Sequence, residues 1–226
     1  MKLFVTISEL VMVLCAFLSC NNSSFNNSDN AGELVDLPFY NDPEFNAVWI
    51  DSDDPAYQQI HTIAPFELIN QNGDTISDTD FDNKIFVANF FFTICPGVCP
   101  RMTGNLMSIQ SEFKTDSTIR ILSHTVMPWV DSVSVLKEYA EQRGIESKWD
   151  LVTGTKEQLY TLGRGSYFAD EGFGKSVTLE SDFLHTENII LVDDKKRIRG
   201  VYNGTLPLEM TRLIEDIYTL KKELKI

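Results

Sequence analysis

Positive charge, cysteine and histidine are all scarce in this chain. Its 226 residues carry 19 Lys and Arg against 33 Asp and Glu, with 4 Cys and 3 His. The formal net charge is −14. Such a surface repels phosphate, and no basic stripe offsets it, so nucleic acid is excluded as a partner. The same charge argues against adhesion to anionic lipid. No apolar run reaches the roughly 20 residues that cross a bilayer comfortably. No internal repeat is visible. What is present is core-forming material. Hydrophobic residues make up 43% of the chain and include 15 Phe, 7 Tyr and 3 Trp, enough for a sizeable core that does not depend on disulfides.

Residues 1–19 read as an export signal. Lys2 supplies a positive start, Val11–Leu18 is apolar and uncharged, and Ser19 is small. Phe17-Leu18-Ser19-Cys20 resembles the lipobox of bacterial lipoproteins, with Phe17 where Leu is usual. That resemblance implies cleavage before Cys20 and lipidation of its thiol, which places the protein outside the cytoplasm as a membrane-anchored lipoprotein of the cell envelope or periplasm. The alternative is an uncleaved N-terminal membrane helix. Residues 20–33, rich in Asn and Ser, fit a flexible polar tether. Removing residues 1–19 deletes Lys2 and Glu9, which cancel, so the mature chain keeps −14. Cys15 leaves with the signal and Cys20 carries lipid. Only Cys95 and Cys99 then remain in the domain formed by residues 34–226.

Along that domain, residues 34–60 read as an extended lead-in interrupted by Pro38, Pro43 and Pro55. Phe66–Asn70 and Thr75–Ser77 form a hairpin around Gln71-Asn72-Gly73-Asp74. Lys84–Thr93 is apolar on both faces, as a central strand covered on both sides must be. A helix follows to about Phe113, with Met102, Leu106, Ile109 and Phe113 on one face. Ile119–Val126 is the next strand. Asp131 or Ser132 caps a helix carrying Val135, Leu136, Tyr139 and Ala140, which Gly144 ends. Trp149–Val152 is a strand, and Thr155 with Gln158 forms a capping box. Asn188–Val192 and Arg197–Tyr202 make a second hairpin. A last helix aligns Met210, Leu213, Ile214, Ile217 and Leu220. The alternation predicts an α/β fold with helices on both faces of a central sheet.

Cys95 and Cys99 are four residues apart where a strand turns into a helix, so both sulfurs can converge on the helix N-terminus. Free N–H groups and the positive dipole end favour thiolate there. Two thiolates suit soft metals such as Cu(I) or Zn(II). They can also form a disulfide, although exchange motifs of the thioredoxin type have two intervening residues rather than three. Of the histidines, His61 reads as structural. His124 lies near the end of the Ile119–Val126 strand, beside the cysteine loop, where a supporting or substitute ligand role is open. His185 immediately precedes the Asn188–Val192 strand. In a thioredoxin-like sheet that loop lies against the cysteine loop, and a neutral imidazole there completes a trigonal S₂N site.

Phe92-Thr93-x-Cys95-Pro96-x-Val98-Cys99-Pro100, with His185 86 residues past Cys99, resembles the SCO/SenC family of copper proteins. Val126-x-Pro128-x-x-Asp131-Ser132 and Leu136-x-x-Tyr139-Ala140 add to the likeness, which covers roughly residues 60–222. The resemblance implies a thioredoxin-like fold with an additional hairpin and a single copper, Cu(I) or Cu(II), on Cys95, Cys99 and His185. It also implies a metallochaperone role in assembling the copper site of a respiratory cytochrome oxidase. The partner is then an oxidase subunit or another copper-handling protein, and the chain need not be an enzyme. The chain departs from the family pattern at Gly97 and Met127, where Asp is usual, at Val133, where Pro is usual, and at Leu184, where an Asp usually precedes the His. Met127 could lend a thioether to Cu(I). Two other readings stand beside this one. An extracytoplasmic thiol–disulfide reductase would use Cys95 and Cys99 and could dispense with His185. A thiol peroxidase would want a Cys supported by Thr and Arg, for which the spacing of Thr93 and the cysteine pair itself fit poorly.

Overall fold

In the computed structural model of the protein, residues 36–169 and 186–226 are described. Nine strands and four α-helices follow in order: β1 (Phe39–Tyr40), β2 (Ala47–Val48), β3 (Glu67–Asn70), β4 (Thr75–Ser77), β5 (Ile85–Phe91), α1 (Val98–Glu112), β6 (Ile119–Thr125), α2 (Val133–Arg143), β7 (Trp149–Thr153), α3 (Lys156–Gly165), β8 (Asn188–Val192), β9 (Ile198–Asn203) and α4 (Pro207–Leu224). Seven strands form one sheet in the order β4-β3-β7-β6-β5-β8-β9. β5 runs parallel to β6, and β6 to β7, while β8 is antiparallel to β5. Consecutive parallel strands need a crossover, which α1 and α2 supply.

The alternation of side chains along β5 divides the interior in two. Ile85, Val87 and Phe91 join α1, α2 and α4 in one core, through Met102, Leu106, Ile109, Leu136, Leu213 and Ile217. Phe86, Ala88 and Phe90 face a second core with Leu159 and Leu162 of α3, Phe81 and Tyr167. All seven residues of β5 are buried, which is why its sequence carries no polar alternation. The helices thus lie on both faces of a thioredoxin-like sheet, three against one.

The strands and helices expected from the sequence are present, with ends displaced by one or two residues. Thr155 and Gln158 form the capping box of α3, and Gly144 ends α2 at φ 70°, a left-handed conformation that suits glycine. The lead-in is more structured than its prolines suggest. It contains the β1–β2 pair and a short 3₁₀ helix at Pro55–Gln59, capped by the Asp54 side chain. Arg199 holds it from a distance, donating to the carbonyls of Leu37 and Pro38 at 2.6 and 3.1 Å and stacking on Phe39. No local pattern could announce contacts across 161 and 162 residues. Among the described residues, no helix is long and apolar enough to cross a membrane.

Candidate metal centre

β5 ends at Phe91 and the chain turns at once, with the Cys95 N–H donating to the Phe92 carbonyl at 3.3 Å. α1 then starts at Val98, so Cys95 lies before the helix and Cys99 in its first turn. The Cys99 N–H points at the Cys95 sulfur, 3.4 Å away. Neither cysteine is in a disulfide. Cys99 is buried and packs in the core under α1, whereas Cys95 is half-buried at its margin.

The two thiols are electrostatically unequal. Partial burial pushes the Cys95 thiol up, but hydrogen bonds from the backbone of Cys99, Gly97 and Val98 and from the Cys99 thiol carry it below the ordinary value. These are the donors a helix start leaves without intrahelical partners. Burial pushes Cys99 up to about 12, and donation to Cys95 adds to the shift. Cys95 is therefore the first thiolate of the pair, and Cys99 holds its proton until a cation or a reaction takes it.

The pair opens into a cavity of about 440 Å³ whose walls include Phe91, Phe92, Pro96 and Val98, together with Thr186 and Glu187. Those last two residues come from the segment entering β8. Mostly apolar walls with two sulfurs favour a soft metal ion over hard cations, which want several oxygen ligands. At Gly97, where the family pattern has Asp, an added Cβ would meet nothing within 4 Å beyond its chain neighbours.

The histidines separate clearly. His61 lies under α3, its Nε2 2.8 Å from the Ser166 carbonyl and its ring on Phe168, a structural role as expected. His124 does not join the cysteine pair. It lies on the opposite face of the sheet, fully buried among Phe66, Phe90 and Tyr167. Burial drives its pKa down to about 4, partly opposed by the Asn89 carbonyl near Nδ1. Strand alternation explains the difference: His124 shares the parity of Leu122, which faces the second core. Met127 also packs against that core. Ser132, not Asp131, caps α2 by accepting from the Val135 N–H, and Asp131 is buried elsewhere. His185 lies outside the described residues, as do the export signal, Cys20 and the tether. Among the described residues no three His, Cys, Asp or Glu side chains group around a metal position.

Residues 54–221 match the family model described as SCO1/SenC. The chain is 27% identical over 162 residues to a SCO1 protein homolog of Bacillus subtilis, covering 70% of this chain and 81% of that protein. Among solved structures it is similar to a SCO1/SenC family lipoprotein from Bacillus anthracis, with 25% identity and a TM-score of 0.60 over 71% of this chain and 95% of that one. It is similar also to BsSco, described as a Sco family cytochrome c oxidase assembly protein with a disulfide switch, at 25% identity and TM-score 0.59, covering 71% and 94%. Arabidopsis thaliana ScoI, solved with copper bound, shares the fold at 23% identity and TM-score 0.55, covering 69% and 97%.

Proposed function

The chain belongs to the SCO1/SenC family, and on that premise we propose that it carries one copper ion on Cys95, Cys99 and His185 and delivers it during assembly of a respiratory cytochrome oxidase. One observation carries the reading: the two sulfurs and Thr186 line the same apolar cavity. His185 adjoins Thr186 in sequence, and successive Cα atoms are about 3.8 Å apart. That adjacency in sequence supports His185 as the third ligand. Copper is cargo here, and the chain's own residues set how it is held and released. Cys95, half-buried and favoured as thiolate, offers the first ligand. Cys99 gives up its proton to become the second, so loading releases protons. A three-coordinate site leaves room for an incoming ligand of the recipient, and transfer proceeds by exchange of ligands without net reaction. The N-terminal signal would direct export, and lipid on Cys20 would then hold the domain on the outer side of a membrane, where the recipient site is assembled. The Bacillus anthracis lipoprotein supports that arrangement.

The unequal thiols favour a second reading, thiol–disulfide reduction. The Cys95 thiolate would attack a partner disulfide and expel one partner thiolate. Cys99, once deprotonated, would then displace the other, leaving a Cys95–Cys99 disulfide and a reduced partner. The test is titration of the full chain in detergent with Cu(I) against a chelating competitor. Copper delivery predicts one tightly held equivalent, weakened at least tenfold by His185→Ala. Reduction alone predicts weak copper binding and an insulin-reducing activity that His185→Ala leaves unchanged; that outcome would overturn the copper reading.

A further inference from the structure

β5 and β6 pair as far as Phe91 and Thr125, and the Val126 N–H still donates to the Phe91 carbonyl at 2.9 Å. Beyond that rung the chains part, β5 toward the cysteines and β6 into the loop before α2. Asp131 fills the fork. Its carboxylate is fully buried and accepts the Thr93 hydroxyl on Oδ1, the Thr125 hydroxyl on Oδ2, and the Thr93 N–H at 3.4 Å from each oxygen. Among the described residues no Lys, Arg or His pairs with it. A buried carboxylate without a cation is costly to keep, and α2 does not use this one, because Ser132 supplies the cap. Every side-chain contact of Asp131 goes instead to the two strand ends beneath the site. Its own backbone is anchored by donation to the Met127 carbonyl at 2.9 Å, and the Met127 N–H donates to the Thr125 hydroxyl at 3.0 Å.

We propose that Asp131 is a positioning residue for the metal centre: through Thr93, two residues before Cys95, it sets the path of the chain leaving β5 and so the direction of the Cys95 sulfur. Metal sites depend on groups behind the ligands in this way. Here the supporting group reaches the ligand through backbone rather than by touching the sulfur. The claim rests on the reading of Cys95 as a copper ligand, but the position of the sulfur can be tested without copper.

The experiment uses the full chain in detergent and compares wild type with Thr93→Val, which keeps shape and loses the hydroxyl, Thr93→Ser, which keeps the hydroxyl, and Asp131→Asn. Two quantities are read: the rate of Cys95 alkylation by iodoacetamide at pH 7 in a Cys99→Ser background without metal, and copper affinity with the sulfur-to-Cu(II) absorption band. Thr93→Val and Asp131→Asn are expected to change the alkylation rate at least threefold, weaken copper at least tenfold and shift the band, while Thr93→Ser stays close to wild type. Ile217→Val, which removes a buried methyl from α4, controls for lost stability and is expected to move neither. If Asp131→Asn fails to fold, Thr93→Val decides alone. Wild-type alkylation rates in folded Thr93→Val and Asp131→Asn would overturn the proposal. A wild-type chain that binds no copper would overturn the metal reading, while the alkylation rates would still judge the positioning.

Discussion

The two ends of the sheet are built from different chemistry. At the end where β5 starts, ion pairs dominate. Asp193 accepts from Arg197 and Arg199, Arg199 also pairs with Glu223, Lys196 with Asp78 and Asp82, and Lys221 with Asp116. At the end where β5 finishes lie the cysteines, and there several large apolar side chains are exposed. Ile94 follows β5, Trp129 follows β6 and Leu208 follows β9, at 62%, 57% and 78% exposure. The topology puts all three at this end, because β5 and β6 are parallel and β9 returns antiparallel to β8. The ion-paired end secures the fold, including the lead-in that Arg199 grips. The cysteine end instead exposes large apolar side chains beside the two thiols.

Breaking the ion-paired end should have the largest effect. Asp193→Ala leaves the buried Arg197 guanidinium without its carboxylate and removes one of the two carboxylates that pair with Arg199, and loss of one partner from such a network costs about 3–5 kcal/mol. Chemical denaturation should show that loss, while the folded fraction still takes up one equivalent of copper. Acid should separate the two regions next. His124, in the core behind the cysteine end, has a folded pKa of about 4 against an ordinary 6.5. The unfolded chain therefore binds the proton first, and stability falls as pH drops from about 6.5 toward 4, by roughly 3 kcal/mol in all. At the other end, burial raises the Asp116 carboxyl but hydrogen bonds from Lys221 and Thr118 hold it down at about 2. Its contribution is present above the ordinary 3.8 and is lost only as pH falls through that value toward 2. Denaturation curves at pH 7, 5 and 4 should show the first loss, and His124→Leu should flatten it. The smallest effect is expected at the apolar rim. Ile94→Ser with Leu208→Ser should change stability by no more than about 0.5 kcal/mol, measured by the same curves. A larger loss would mean that these side chains support the fold rather than face a partner.

Much of this architecture is legible in the linear chain because it is written in short-range patterns. An all-apolar run announces β5, a 4-3-4 spacing announces the buried face of α1, and Thr155 with Gln158 announces the start of α3. The cysteine pair is legible for the same reason, since a strand–turn–helix junction brings residues 95 and 99 together locally. The lead-in is not, because its order comes from Arg199. Nor is the role of His124. Its parity on β6 can be read, but which parity faces the cysteines depends on where α1 crosses. By sequence alone, Asp131 and Ser132 are equally good caps. The choice between them turned on Thr93, which lies 38 residues earlier.

The sequence by itself determined the α/β alternation, the helix faces and the two thiols at a helix start, because each depends on neighbours a few residues apart. Only the tertiary structure decided that Cys95 and Cys99 differ in acidity, that His124 is core and that Asp131 bonds to Thr93 and Thr125. Burial and hydrogen bonding across strands set those properties, and both arise only when distant segments pack.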